Sequence, residues 1–516
     1  MRKNDYRDSV LLMRISSRLE ALDGVRSAAV MMATENNKRL FKDAGLLTEE
    51  IKNAGPNDLA IAVDATKDEF AEKALSAVDG LLSEKIVKPG EVVYKTLSSA
   101  IASTPDADLI LISTPGAFAA REARKALDAG KHVMIFSDGV SFEDEIELKL
   151  LATGKGLLLM GPEAGTSIIG GVGLGFSNSV RSGPIGIVGA AGTGIQEVAC
   201  LIGMESGISH AIGVGGRDLS QRVDGIGTIS ALEFLARDEN TEVVVLISKP
   251  PAASVSRKVL QAVRKIKKPS VVCFLGGSPS EISQAGATPA VTLEDAAAKA
   301  IAIARGEKPE EITFTFPEKE VKRIAKKEYS CFAYGQKYVR GLFSGGSLCD
   351  EAIVVLQELL GDICSNVPLK PRLKLPSPHH SKRHTCVDMG TEDFTRERPH
   401  PMIDPKLRCE RMLKEARKLD VAVILFDVVL GYGAHPDPAG ELVRAIREAK
   451  AVTEKTGGYL SVVASICGTS DDPQSLAGQE QKLKKAGVIV MPSNAQAARM
   501  AALIATRGKA WRRLGE

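Results

Sequence analysis

Two glycine turns are the residues in this chain whose spacing most directly suggests chemistry. Gly189-Ala190-Ala191-Gly192-Thr193-Gly194 follows the apolar run Ile185–Val188 and precedes a helical stretch, so its N–H groups and the helix N-terminus form a cradle for a small anion. Ser344-Gly345-Gly346-Ser347 stands before a second helical stretch, Leu348–Leu359, and offers another set of free N–H donors beside the Ser347 hydroxyl. Either turn alone is weak evidence, because strand-to-helix turns also use glycine for geometric reasons. Lys249, in Ser248-Lys249-Pro250-Pro251, follows the apolar run Val243–Ile247 at the strand C-terminal end where sites in parallel sheets cluster. A cation there suits direct binding of phosphate or carboxylate; the plainer reading is a solvated loop lysine.

A third concentration lies in the segment from Asp388 to Asp404, which carries Arg396, Arg398 and His400 among carboxylates. Arginines suit bidentate recognition of a small carboxylate, and a histidine titrating near neutrality suits proton transfer to a nitrogen leaving group. The alternative is an ion-paired loop with Asp404 capping a helix from Pro405 to Lys418. His379, His380 and His384 lie in a proline-rich, basic stretch with no acidic or cysteine ligand nearby. A solvated loop with no bound metal is expected there.

The elements that must hold these groups are those of an α/β protein with several Rossmann- or flavodoxin-like parallel sheets. Residues 1–92 read as a small α/β module, with an amphipathic helix at Ser9–Leu22 and strands at Ser27–Met32 and Leu59–Val63. Residues 93–180 read as a βαβ unit with strands Leu109–Ser113 and His132–Phe136. Residues 181–329 repeat the scheme with the apolar runs 185–188, 243–247 and 270–274, as buried parallel strands do. Residues 330–516 repeat it again with Ala422–Phe426, Leu460–Ser465 and Val488–Met491, interrupted by a loop at 366–385.

At 516 residues, 44% of them hydrophobic, the chain is long enough for about three or four such domains. Its 67 basic and 64 acidic residues are interspersed and leave a formal charge of +3, which argues against nucleic acid or an anionic membrane as partner. Met1 opens on Arg2-Lys3-Asn4-Asp5 with no apolar leader, and the eight cysteines show no CxxC spacing, so a cytoplasmic protein with reduced thiols is expected.

Ser283-Gln284-Ala285-Gly286-Ala287 resembles the Gly-His-Ala-Gly-Ala loop of the succinyl-CoA synthetase α subunit, within a longer likeness from Ile185 to about Ala304. Gln284 then stands where that family carries its phosphohistidine, and a carboxamide cannot hold a phosphoryl group. Gly116 to Ile169 resembles the later part of that subunit's CoA-binding domain, including Leu127-Asp128-Ala129-Gly130 and Gly161-Pro162-Glu163-Ala164-Gly165. The fourth segment resembles the β subunit's ligase domain in Ser344-Gly345-Gly346-Ser347-Leu348 and Cys467-Gly468-Thr469-Ser470. An ATP-grasp domain has no room here. Lys249 stands where the family has a glutamate, and the family's CoA-wrapping glycine turn is not recognisable between Val93 and Ala107. No cofactor is expected, and the missing turn argues against CoA.

Over nearly its whole length the chain also resembles FdrA proteins, in Arg2 to Val10, Phe343-Ser344-Gly345-Gly346 and Phe394 to Asp404. That resemblance implies a subunit which, with partner subunits, acts as oxamate carbamoyltransferase in allantoin nitrogen catabolism, converting oxalurate and phosphate to oxamate and carbamoyl phosphate. Phosphate would lie at Gly192, Thr193 and Gly194, helped by Lys249 or by Gly345, Gly346 and Ser347. Arg396 or Arg398 would hold the substrate carboxylate, His400 would manage the amide proton, and Gln284 would donate to bound phosphate or substrate. The alternatives are an enzyme moving acyl groups between CoA and phosphate, or a noncatalytic scaffold.

Overall fold

The computed structural model describes the chain except for Tyr6, Asp8, residues 84–92, Glu397, Gly515 and Glu516. The domain boundary expected at residue 92 therefore lies outside the described residues. The chain divides into two units, one of residues 1–95 with 394–400, the other of residues 96–393 with 401–516.

In the first unit α1 (Ser9–Glu20) leads into β1 (Val25–Met32), which pairs antiparallel with β2 (Leu59–Ala65), and α2 (Asp68–Ser83) follows. The two-residue period of the strands puts Ala28, Val30 and Leu59 in a core with Leu12, Ile15 and Leu19 of α1 and Val78 of α2. The opposite faces pack Ala29 and Ala60 with Phe41 and Ile51.

The second unit holds three sheets. β3 (Leu109–Ile112), β4 (His132–Ile135) and β5 (Leu159–Met160) form a small parallel one. The next contains β6 (Thr166–Ile169), β7 (Val172–Gly175), β8 (Ser182–Gly189), β9 (Ile208–Gly213), β10 (Val243–Ser248), β11 (Ser270–Phe274) and β12 (Thr288–Pro289). Its order is β12-β11-β10-β8-β9-β6-β7, parallel but for the β6–β7 hairpin at one edge. Residues 166–175, assigned from sequence to the preceding domain, thus extend this sheet, because β6 pairs with β9. The third sheet contains β13 (Tyr338–Phe343), β14 (Cys364–Ser365), β15 (Thr385–Asp388), β16 (Val421–Val429), β17 (Ser461–Cys467) and β18 (Ile489–Met491), all parallel in the order β14-β15-β13-β16-β17-β18. β10 and β16 are buried along their whole length, which is why they read as unbroken apolar runs; Asp427 is the single exception in β16.

The last two sheets share one apolar core. Helices α3 (Gly192–Gly203), α4 (Leu293–Ala304), α5 (Gly346–Leu360), α6 (Lys406–Ala416) and α7 (Asn494–Ala505) cover their faces. Side chains of α3, α5 and α7, among them Ile195, Leu348 and Ala498, belong to the same cluster. Residues 181–329 and 330–516 therefore fold as halves of one body. The segment 366–385 is irregular but not solvated as expected. Leu373 and Leu375 are buried, Ser381 donates to the buried Glu415, and the Arg411 guanidinium holds the Pro378 carbonyl. His384 serves the same packing, since its Nδ1 accepts the Val339 N–H and burial lowers its pKa to about 4, helped by Arg340 and Lys337.

The small sheet is joined to its neighbour by a buried charge. Lys149, on the helix Phe142–Gly154, reaches Glu145 at 2.8 Å and Asp218 at 2.7 Å, and Asp218 in turn accepts the Gly227 and Thr228 N–H groups of the following helix. Removing the ammonium leaves two buried carboxylates facing each other, so Lys149→Met is expected to destabilise by about 3–5 kcal/mol. Urea unfolding measures this; a loss below about 1 kcal/mol would show that the cluster is dispensable.

Candidate site between two helix N-termini

The two glycine turns meet. A Cβ at Gly194 would sit 3.1 Å from Ser347 Oγ, and one at Gly345 would sit 2.9 Å from Thr193 Oγ1. Thus the first turns of α3 and α5 are in van der Waals contact, and glycine is required where each approaches the other. Neither helix has a side-chain cap. Ser347 Oγ is buried beside Gly194 without a hydrogen-bond partner. Two positive helix ends with unclaimed donors and one unpartnered hydroxyl make a site for an anion or an oxyanion.

Not all the expected donors are available. The Asp427 carboxylate takes the Ser344 N–H at 2.8 Å, the Ser344 hydroxyl at 2.9 Å and the Gly345 N–H at 2.7 Å, with Arg408 Nη1 at 2.9 Å on the other side. The Gly345 N–H assigned to substrate is therefore held internally, whereas Gly346 and Ser347, inside α5, keep theirs. Lys249 likewise is not a free cation. Its ammonium lies 2.8 Å from Asp350 Oδ2, a buried carboxylate on α5. Burial works to lower the Lys249 pKa, but Asp350 and then Asp388 outweigh it and hold the ammonium above its ordinary value.

Asp388, at the end of β15, stands at the mouth of α5. Its Oδ2 would be 2.9 Å from a Cβ on Gly346, while Oδ1 accepts the Gly390 N–H at 2.8 Å. Burial raises its pKa to about 7, reinforced by Asp350 and Asp427 and opposed by the Gly390 N–H and Lys249. A carboxyl held there can take up or release a proton near neutrality. Sequence reasoning named Asp388 only as the start of a loop.

A second pair of acids locks the helices in place. Glu197 and Glu351 occupy equivalent positions, each five residues after the first glycine of its helix. Glu197 Oε1 accepts the Asn494 N–H that opens α7, and Glu351 Oε1 accepts the Leu293 N–H that opens α4, at 3.1 and 2.6 Å. Each half of the body thus caps a helix of the other. Glu351 also accepts from Asn494 Nδ2 at 2.7 Å. The signal was legible as an internal repeat, Gly-Thr-Gly-Ile-Gln-Glu at 192–197 against Gly-Ser-Leu-Cys-Asp-Glu at 346–351.

Other expected residues fall elsewhere. Gln284 ends the short helix Pro279–Gln284, is exposed, and lines a shallow cavity with Lys268, Pro269 and Ser270, at the start of β11. The glycine turn follows the C-terminal end of β8, which is parallel to β11 with β10 between them, so Gln284 is at the opposite end of the strands and cannot donate to a ligand there. Gly286 has φ +82° because it follows a helix C-terminus, which is the geometric reason for the Ala-Gly pair. Arg396, Arg398 and His400 belong to the unit of residues 1–95, not to the unit that carries both glycine turns.

Comparison with known proteins adds the following. Models of three families match: CoA-ligase over residues 342–504, CoA binding domain over 180–276, and AllF heavy metal-associated domain over 1–94. Residues 1–94 contain no cysteine or histidine, so this segment offers no thiolate or imidazole to a heavy metal, and among the described residues no group of three metal-ligating side chains occurs. The uncharacterized protein YahF of Escherichia coli is 44% identical over 96% of each chain. The succinate–CoA ligase α subunit of Methanothermobacter thermautotrophicus is 27% identical over 37% of this chain and 64% of its own. Among solved structures, the apo dinucleotide-forming acetyl-coenzyme A synthetase 1 of Ca. Korarchaeum cryptofilum covers 84% of this chain and 89% of its own, at 18% identity and TM-score 0.34. The ATP citrate lyase of Methanothrix soehngenii covers 82% and 84%, at 14% identity and TM-score 0.36. No described helix is long and apolar enough to cross a membrane.

Burial, and then the neighbouring acids, push the Glu197 pKa up to about 8; burial raises Glu351 to about 7. An acid whose folded pKa exceeds its unfolded 4.5 contributes stability below that value and loses it as pH rises toward about 8. The urea midpoint is expected to fall between about pH 5 and pH 8, and Glu197→Gln to flatten that fall. An unchanged slope in the variant would contradict burial of the Glu197 carboxyl.

Proposed function

We infer, for a chain that belongs to the succinyl-CoA synthetase-like family of YahF, that it works in acyl-phosphate chemistry with phosphate itself as the reacting group. The observation that carries this reading is the pair of uncapped helix N-termini in contact, with the unpartnered Ser347 hydroxyl between them. Such donors suit a phosphate oxygen next to a carbonyl whose oxyanion needs N–H groups. No histidine lies within either turn to carry a phosphoryl group.

The acyl group is carbamoyl in this reading, and the chain is a subunit of an oxamate carbamoyltransferase that works with partner subunits and no cofactor. A phosphate oxygen attacks the carbamoyl carbon of oxalurate, the C–N bond breaks, and the hydrogen-phosphate proton passes to the departing nitrogen, giving carbamoyl phosphate and oxamate. Asp388, titrating at about 7 beside Gly346, is the group suited to relay that proton. Thr193, Gly194, Gly346 and Ser347 hold the phosphate. Lys249 keeps Asp350 neutralised at its flank. The substrate carboxylate then needs an arginine that the two turns do not supply, and a partner subunit supplies it in this reading.

A second reading, acyl transfer between CoA and phosphate, is favoured by the CoA-binding family match over residues 180–276. One assay separates them. The full chain with its partner subunits is expected to form carbamoyl phosphate from oxalurate and phosphate without CoA, and Ser347→Ala to lower kcat/KM by about tenfold or more, as loss of one oxyanion donor does. Phosphate-dependent cleavage of a CoA thioester, with no turnover of any ureido acid, would favour the second reading instead.

A further inference from the structure

At the C-terminal end of α7, one helix length from the Glu197 cap, lies a cavity of about 610 Å³ that has no part in the site above. It is lined by the helix Glu318–Tyr329, by the residues that follow α7, and by the short helix Trp511–Leu514. Five cations face it: Lys322, Lys326, Arg507, Lys509 and Arg512. No acidic residue lines it. Lys322 is paired with Glu318, and Arg507 donates to the Ala333 carbonyl at 3.3 Å. Lys326, Lys509 and Arg512 have no acceptor for their side chains among the described residues. Helix macrodipoles account for basic residues at the two helix C-termini, but not for Arg512 or for the rings beside them.

Those rings are Tyr329 and Trp511. Trp511 stacks on Phe314 with centroids 6.1 Å apart and planes 5° from parallel, and the Lys322 ammonium lies 4.6 Å from the indole centroid. The indole is thus fixed by packing at the cavity wall, and its electron-rich surface already attracts a cation. A cavity within the range of about 300–1,000 Å³ used for small ligands, with fixed aromatic surface at one side and unneutralised cations around it, selects for shape and charge together. Like charges converging without counter-charge repel one another, and a ligand bearing several negative charges relieves that repulsion.

We propose that this cavity binds a nucleotide, with its base against Trp511 and Tyr329 and its phosphates among Lys326, Lys509 and Arg512. The site is independent of the acyl-phosphate reading. It is coupled to the rest of the fold through α7, whose other end carries the Glu197 cap.

Trp511 is the single tryptophan of the chain, so its emission reports on this cavity alone. Titration of the full chain with ADP is expected to change the emission saturably. Inorganic pyrophosphate should bind at least about tenfold more weakly and adenosine not detectably, because each carries half of the recognition. The double variant Lys326→Glu with Arg512→Glu, both exposed residues, should weaken ADP by at least about tenfold at an unchanged unfolding midpoint. Calorimetry on the same samples catches binding that leaves the indole undisturbed. No saturable ADP binding by either method, adenosine binding as well as ADP, or full ADP affinity in the double variant would each overturn the proposal; pyrophosphate matching ADP would overturn the role of the rings.

Discussion

Two helix N-termini pressed against each other are an electrostatic problem that the rest of this body is arranged to solve. Each helix end carries a partial positive charge of roughly half an elementary unit and lacks acceptors for its first N–H groups. At the Gly194–Ser347 and Gly345–Thr193 contacts these ends touch. Three buried carboxylates, Asp350, Asp388 and Asp427, surround the junction, with Lys249 and Arg408 as their counter-charges. Asp427 satisfies part of the donor set for good, which leaves the first turns of the two helices with the donors that remain.

The cross-capping glutamates explain why the two ends stay together. Without Glu197 and Glu351 the first N–H of α7 and of α4 would lose its buried acceptor, leaving only the local caps Ser493 and Thr292 to each helix start. The caps are buried acids, so the junction that holds the site is also the part of the core whose protonation changes near neutrality. Asp388 has a proton affinity raised by its own burial first, with Asp350 and Asp427 adding to it.

The parallel α/β architecture was legible because buried strands such as 243–248 and 421–429 are almost wholly apolar, and the two glycine turns because tight helix approaches tolerate no Cβ. What sequence reading missed was long-range. Asp427 looked like one polar residue in a strand, and only its place beside Ser344 gives it a role. Glu197 and Glu351 looked like ordinary helix residues, although their shared spacing from glycine was there to be compared. Gln284 was misread because a five-residue likeness outweighed local physics: Pro279 opens a short helix and Gly286 follows its end, so the segment is a helix C-terminus and not a ligand loop. Residues 166–175 fell within the domain drawn at 93–180 because edge pairing leaves no periodic mark in the strand it joins.

The most direct test of anion binding between the helix ends is anomalous diffraction from crystals of the full chain soaked in selenate, a tetrahedral dianion like phosphate. A selenium peak is expected within hydrogen-bonding distance of Ser347 Oγ and the first N–H groups of α3 and α5, and it should be lost in Ser347→Asp, where a new carboxylate takes the same donors. Selenate bound in the crystal at other basic sites with none at this junction would contradict the assignment.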